Sequence, residues 1–166
     1  MLRSMSRDEG HAELERLRAA VEGSGDLVYT WDLATDHIEW IGRVADLFGA
    51  DPETVPRIGD RFHGRINPED LPARMQALSE HFAGTARYEC EYRVRASSGE
   101  FCWVHDRGAV ETSPGGTPVR LSGTLRLVTQ RKQNETRLEH LANYDELTGH
   151  YNKQRLREAL DYSLAY

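Results

Sequence analysis

Tyr88-Glu89-Cys90-Glu91-Tyr92-Arg93-Val94 decides the fold. Apolar side chains at 88, 90, 92 and 94 alternate with charged ones at 89, 91 and 93, the two-residue period of an antiparallel strand with one buried and one wet face. Ser97-Ser98-Gly99 then supplies a turn, and residues 100–111 return through Phe101, Trp103 and Val104. Pro114-Gly115-Gly116 turns the chain again, after which Val119, Leu121, Gly123, Leu125 and Leu127 alternate as a last strand. Upstream, residues 27–31 and 37–40 are short β-branched and aromatic runs joined by the turn-forming residues 32–36, a hairpin. Between these β regions lies helical sequence. Residues 43–48 make one or two turns closed by Gly49, and residues 51–65 hold short turns and loops. Asn67-Pro68-Glu69-Asp70 reads as a helix start with Asn67 as N-cap. That helix runs to about Phe82, with Leu71, Met75, Leu78 and Phe82 as its inner face. The order predicts an α+β fold: a five-stranded antiparallel sheet with helices on one face.

Helices flank this body on both sides. Ser6-Arg7-Asp8-Glu9 has the spacing of a capping box, and Leu14, Leu17 and Val21 then form one apolar stripe ended by Gly23-Ser24-Gly25. At the other end Leu127, Arg131, Asn134, Leu138, Leu141 and Asp145 step by 4, 3, 4, 3 and 4 residues, a helical stripe in which only three members are apolar. That helix ends near Tyr144. Such a helix is marginal alone, because nucleation is costly in water. It either packs on its own domain or pairs with a second copy; the second choice makes the protein a homodimer.

The 166 residues suit one core with appendages. With 39% apolar and 29% charged residues the composition is that of a soluble globular protein, and no run approaches the roughly 20 apolar residues of a membrane span. The first ten residues lack an apolar signal segment, so a cytoplasmic location is expected. A net charge of −6 with scattered basic residues argues against nucleic acid as a partner. Cys90 and Cys102 form no CxxC pair and read as buried thiols. None of the seven histidines pairs at helical spacing with another His or a Cys, so no metal site is expected, and no nucleophile or phosphate-loop motif suggests a catalytic residue.

Several stretches together resemble a PAS domain with a PAC-type C-terminal segment, over residues 27–131. They are Trp31-Asp32, Ile66-Asn67-Pro68-Glu69-Asp70, the strand at 88–94, Ser98-Gly99-Glu100-Phe101-Cys102-Trp103-Val104, and Gly123 with Thr129-Gln130-Arg131-Lys132 and Glu135. Farther on, Leu141-Ala142-Asn143-Tyr144-Asp145-Glu146-Leu147-Thr148-Gly149 and Asn152 look like the start of a GGDEF domain, the fold of diguanylate cyclases. The resemblance implies an N-terminal helix at 1–24, a PAS sensor at 25–129, a signalling linker helix at 130–144 and a truncated GGDEF start at 145–166. In that last segment it singles out Asp145, Leu147, Thr148, Gly149 and Asn152. The cyclase's metal-binding carboxylates and its Gly-Gly-Asp-Glu-Phe loop are not among these residues, so the chain by itself is expected to make no cyclic dinucleotide. The implied role is sensory input to cyclic-di-GMP signalling, in a diguanylate cyclase or a composite with a phosphodiesterase.

A sheet roofed by helices leaves a concave apolar space suited to a small molecule. Phe48, Phe62, Leu71, Met75, Tyr88, Tyr92 and Trp103 are the candidates to line it; equally, they could simply fill a core. No cofactor is required by the sequence. Light-sensing relatives carry an Asn-Cys-Arg-Phe motif that is missing here, and the position from which haem-binding relatives offer a histidine holds Met75. Relay and dimer contacts are assigned to Leu14, Leu17, Val21, Leu127, Thr129, Leu138 and Leu141. The other readings are a ligand-free PAS dimerisation scaffold and a haem or flavin sensor.

Overall fold

The computed structural model describes residues 7–143. Contacts divide the chain into two units, residues 1–128 and 129–166. In the first, α1 (Arg7–Ser24) precedes the hairpin β1 (Leu27–Asp32) and β2 (Ile38–Ile41). Helices α2 (Ala45–Phe48), α3 (Gly59–His63) and α4 (Leu71–Phe82) follow, then the strands β3 (Tyr88–Arg95), β4 (Phe101–Thr112) and β5 (Pro118–Leu127). The five strands form one antiparallel sheet in the order β2-β1-β5-β4-β3. The α+β architecture expected from the alternating pattern is therefore present. In the second unit α5 spans Thr129–Asn143, and Arg131 and Glu135 pair along its surface.

Register sorts the side chains. Tyr92 stands opposite Val104 and Val94 opposite Cys102, while Tyr29 faces Trp40 on one side and Gly123 on the other. One sheet face thus carries Leu27, Tyr29, Tyr88, Tyr92, Val94, Val104, Leu121 and Leu125, which pack with Phe48, Phe62 and Leu78 into the core. Burial of this apolar surface is the main stabilising term, at roughly 25 cal/mol per Å² removed from water.

Two local expectations are corrected, and Asp70 gains a role. The helix after Asn67 begins at Leu71, because the Asn67 carboxamide accepts from the Glu69 amide and closes a turn instead of capping the helix. Asp70, at the helix start as expected, also clamps the Arg93 guanidinium and main-chain amide. Within α4 the buried positions are Arg74 and Leu78, and Met75 is 45% exposed, so the inward stripe is turned by one residue from the apolar reading.

Helix α1 has no buried residue. Leu14 and Leu17 are exposed, and a Cβ on Gly42 would stand 3.3 Å from the Val21 side chain, so the Val21 end of the helix comes close to the chain just after β2. Ser6, where the capping box was placed, and residues 144–166, with Tyr144 and the GGDEF-like Asp145, Leu147, Thr148, Gly149 and Asn152, lie outside the described residues.

Candidate functional site

The inner row of β4 runs Cys102, Val104, Asp106, Gly108, and that alternation puts a carboxylate into the core. Asp106 has no exposed surface. Three phenols from three positions converge on it. Tyr29 of β1 donates to Oδ1 at 2.8 Å; Tyr88 and Tyr92 of β3 donate to Oδ2 at 2.6 and 2.7 Å. The Tyr29 ring can reach across because strands β4 and β5 carry facing glycines, Gly108 and Gly123, at that level. A Cβ on Gly123 would lie 2.6 Å from the Tyr29 hydroxyl, so glycine is required there by a close approach.

Arg74, 3% exposed, brings the opposite charge from α4. Its Nε stands 3.8 Å from Asp106 Oδ2, short of a hydrogen bond, and has no partner. Nη1 donates to His63 Nε2 over 2.7 Å, and the guanidinium lies between the rings of Phe62 and Tyr92 at 5.5 and 5.3 Å. Burial pushes the Asp106 carboxyl above its ordinary range against the pull of Arg74 and the three phenols. Burial and the neighbouring carboxylate hold all three tyrosines far up, so they remain donors. Burial opposes the charge on Arg74, the neighbouring Asp106 carboxylate supports it, and the guanidinium stays charged. Ionised Asp106 is the state this arrangement serves, since three donors aimed at two oxygens and a buried cation would otherwise go uncompensated.

His63 bridges this centre to the surface. Burial lowers its pKa first and Arg74 second, while Asp36 and Asp60 act the other way. Its ring meets the edge of Trp31 at 5.6 Å. Trp31 in turn donates to Asp36 Oδ1, and Asp36 Oδ2 accepts from the Asp60 amide, which ties the β1–β2 turn to α3. Tyr29, Trp31, Ile38, Trp40, Phe62 and Arg74 line a slot whose cavity volume is only about 10 Å³.

Of the residues expected to line a pocket, Phe62 lines this slot. Phe48 packs edge-on against Phe62 and Trp40 behind it. Tyr88 and Tyr92 hold Asp106, Leu71 is half-buried against the core, and Met75 points away. Trp103 pairs across from Arg93 on the other sheet face, under that guanidinium at 5.3 Å, because Val104 takes the inner position. Sequence reasoning passed over Arg74, Asp106, His63 and Tyr29. The usable signal was the Asp at an inner β4 position among three inner tyrosines. Burial pushes the Cys90 thiol up to about 11, which leaves it protonated. Among the described residues no three His, Cys, Asp or Glu side chains gather as a metal set.

The profile of the PAS fold family matches residues 37–125, more than half of the chain. The chain belongs to the PAS family. A similar solved PAS structure is that of a sensory box histidine kinase/response regulator from Burkholderia thailandensis, 30% identical with a TM-score of 0.65, covering 75% of this chain and 92% of that one. The N-terminal domain of a diguanylate cyclase with PAS/PAC sensor from Marinobacter aquaeolei superposes with a TM-score of 0.56 at 20% identity, covering 64% and 98%. An uncharacterized protein of Sinorhizobium fredii is 28% identical over 103 residues, which are 58% of this chain and 12% of that protein. The chain therefore spans only about an eighth of that relative's length. It is a PAS sensory domain, and among its described residues no helix is long and apolar enough to cross a membrane.

Proposed function

We propose that this PAS domain reads the state of its Asp106 centre and passes it through the linker helix to a GGDEF output domain, in cyclic-di-GMP signalling by a homodimer. The observation that carries the relay is the wiring of β5. Gly123 lies against Tyr29, Tyr29 holds Asp106, and the same strand ends at Leu127 with Val128 alone before Thr129 opens α5. A displacement of Tyr29 is thereby a displacement of the strand that feeds the helix. The GGDEF-like sequence at 141–152 supports that output, as does the diguanylate cyclase origin of one structural neighbour. The domain organisation proposed with it is an N-terminal helix at 1–24, PAS at 25–129, linker at 130–144 and GGDEF start at 145–166. Leu14 and Leu17 on α1, and Leu138, 65% exposed on α5, with Leu141, are the dimer contacts proposed, and Leu127, itself exposed, joins them with Val21 and Thr129 in the relay.

The slot as it stands is closed to anything larger than a water, and a ligand that widened it would be small and flat, with an apolar body for Trp31, Trp40 and Phe62 and one hydrogen-bond acceptor for Arg74. A cavity of about 10 Å³ favours a second reading as well, a ligand-free dimerisation scaffold, because small-molecule pockets usually enclose about 300–1,000 Å³. Haem or flavin does not fit: the slot is smaller than either group, and Met75 faces outward.

GTP turnover by the natural protein that contains this chain tests the output. Expected are cyclic di-GMP as product and a rate altered several-fold by Tyr29→Phe; no cyclic dinucleotide, or a rate indifferent to that change, contradicts the reading. Native mass spectrometry of the purified protein separates a bound small molecule from an empty scaffold. Sedimentation of Leu138→Ser with Leu141→Ser is expected to show monomer where the parent is dimeric.

A further inference from the structure

His63 and Arg74 occupy the boundary between the buried charge and the surface. The 2.7 Å contact between Arg74 Nη1 and His63 Nε2 exists only while the imidazole is neutral, because arginine has no acceptor and that ring nitrogen must supply the lone pair. While it holds, Arg74 stays pulled toward α3, and its Nε stops 3.8 Å from Asp106 with no partner. An orphaned nitrogen in a fully buried charged group is an unused gain close at hand. We propose that His63 and Arg74 form a proton-operated latch on the aromatic slot: protonation of His63 releases Arg74 onto Asp106 and opens the slot beside Trp31.

Each step follows from the neighbours. A proton on Nε2 places two cations 2.7 Å apart, which cannot persist. Behind Arg74, from β4, β3 and β1, stand Asp106 and the phenols of Tyr88, Tyr92 and Tyr29, so the guanidinium has a better partner one step inward. Asp36 from the β1–β2 turn, which also accepts from the Trp31 indole, and Asp60 from α3 favour the imidazolium. The ring also loses its edge contact with Trp31, one wall of the slot, as it swings. Desolvation and Arg74 set the switching point below the ordinary histidine value of 6.5. The proton is taken up from solvent and stays on the imidazole; no other bond changes. As an input signal this rests on the sensory reading above, whereas the latch itself does not.

The test is a pH titration of the 166-residue chain by NMR between pH 7.5 and 5, following the His63 ring nitrogens and the indole N–H groups of Trp31 and Trp40. The expected result is one shared midpoint below 6.5 for His63 and Trp31, with Trp40 following. In His63→Gln, whose amide oxygen accepts from Arg74 without titrating, the indole shifts in that range are expected to vanish. A His63 midpoint at or above 6.5, or indole transitions that persist in His63→Gln, overturns the latch. The wild-type titration decides even where the variant folds poorly. A latch that responds in NMR while GTP turnover in the natural protein ignores pH would leave the latch standing and refute the relay.

Discussion

The two faces of the same sheet use the same residue types to opposite ends. On the outer face Glu89 meets His105 and Arg107, and Glu111 meets Arg120, all in contact with water. On the inner face Asp106 and Arg74 are sealed among three tyrosines and a phenylalanine. Water replaces a lost partner outside at almost no cost, whereas inside nothing can. A charge in the core is therefore a committed feature of this domain, and a charge on the rim is a replaceable one.

The largest effect expected is from breaking the inner pair by one partner. Arg74→Met or Asp106→Asn should each destabilise the domain by about 3–5 kcal/mol in urea unfolding, the usual cost of stranding a buried ion. Trp103→Ala, on the outer face beneath Arg93, should cost about 1–1.5 kcal/mol, roughly half the value for a side chain wholly removed from water. A loss of 3 kcal/mol or more would mean that the outer face is covered in solution.

Acid sharpens the comparison further. The folded-state pKa of His63 is lowered, so the unfolded chain binds the proton first as pH falls. Its stabilising share is complete above 6.5, starts to fall there, and is lost once pH passes below the folded-state value. Stability measured for the wild type minus that for His63→Gln should thus decline between pH 7.5 and 5. A flat difference would show that the ring is not held neutral by its surroundings. Smallest of all, Glu111→Gln on the rim should move stability by less than about 1 kcal/mol.

Much of the frame was legible from sequence and the centre was not, for a single reason. Tyr88, Tyr92, Val94, Leu121 and Leu125 announce an inner face by strict alternation, and the structure buries them all. On α4 the same rule chose Met75 over Arg74, since an apolar stripe at 71, 75, 78 and 82 fits a helix as well as one at 71, 74, 78 and 82. Only a buried anion makes arginine the better inner residue, and that anion lies 32 positions later in the chain, at Asp106. Trp103 was misplaced by its bulk: Val104 is smaller, yet its position opposite Tyr92 fixes which of the two points inward. Pairing between distant strands carries this information, and periodicity within one strand does not.

The central claim is that Arg74 and Asp106 act as one buried charged unit, and a double-mutant cycle on unfolding free energy tests it most directly. With Arg74→Met, Asp106→Asn and the double variant, a coupling of about 1.5 kcal/mol or more is predicted, the double costing clearly less than the sum of the singles. Coupling below about 0.5 kcal/mol would show that the two groups are satisfied separately and would contradict the account.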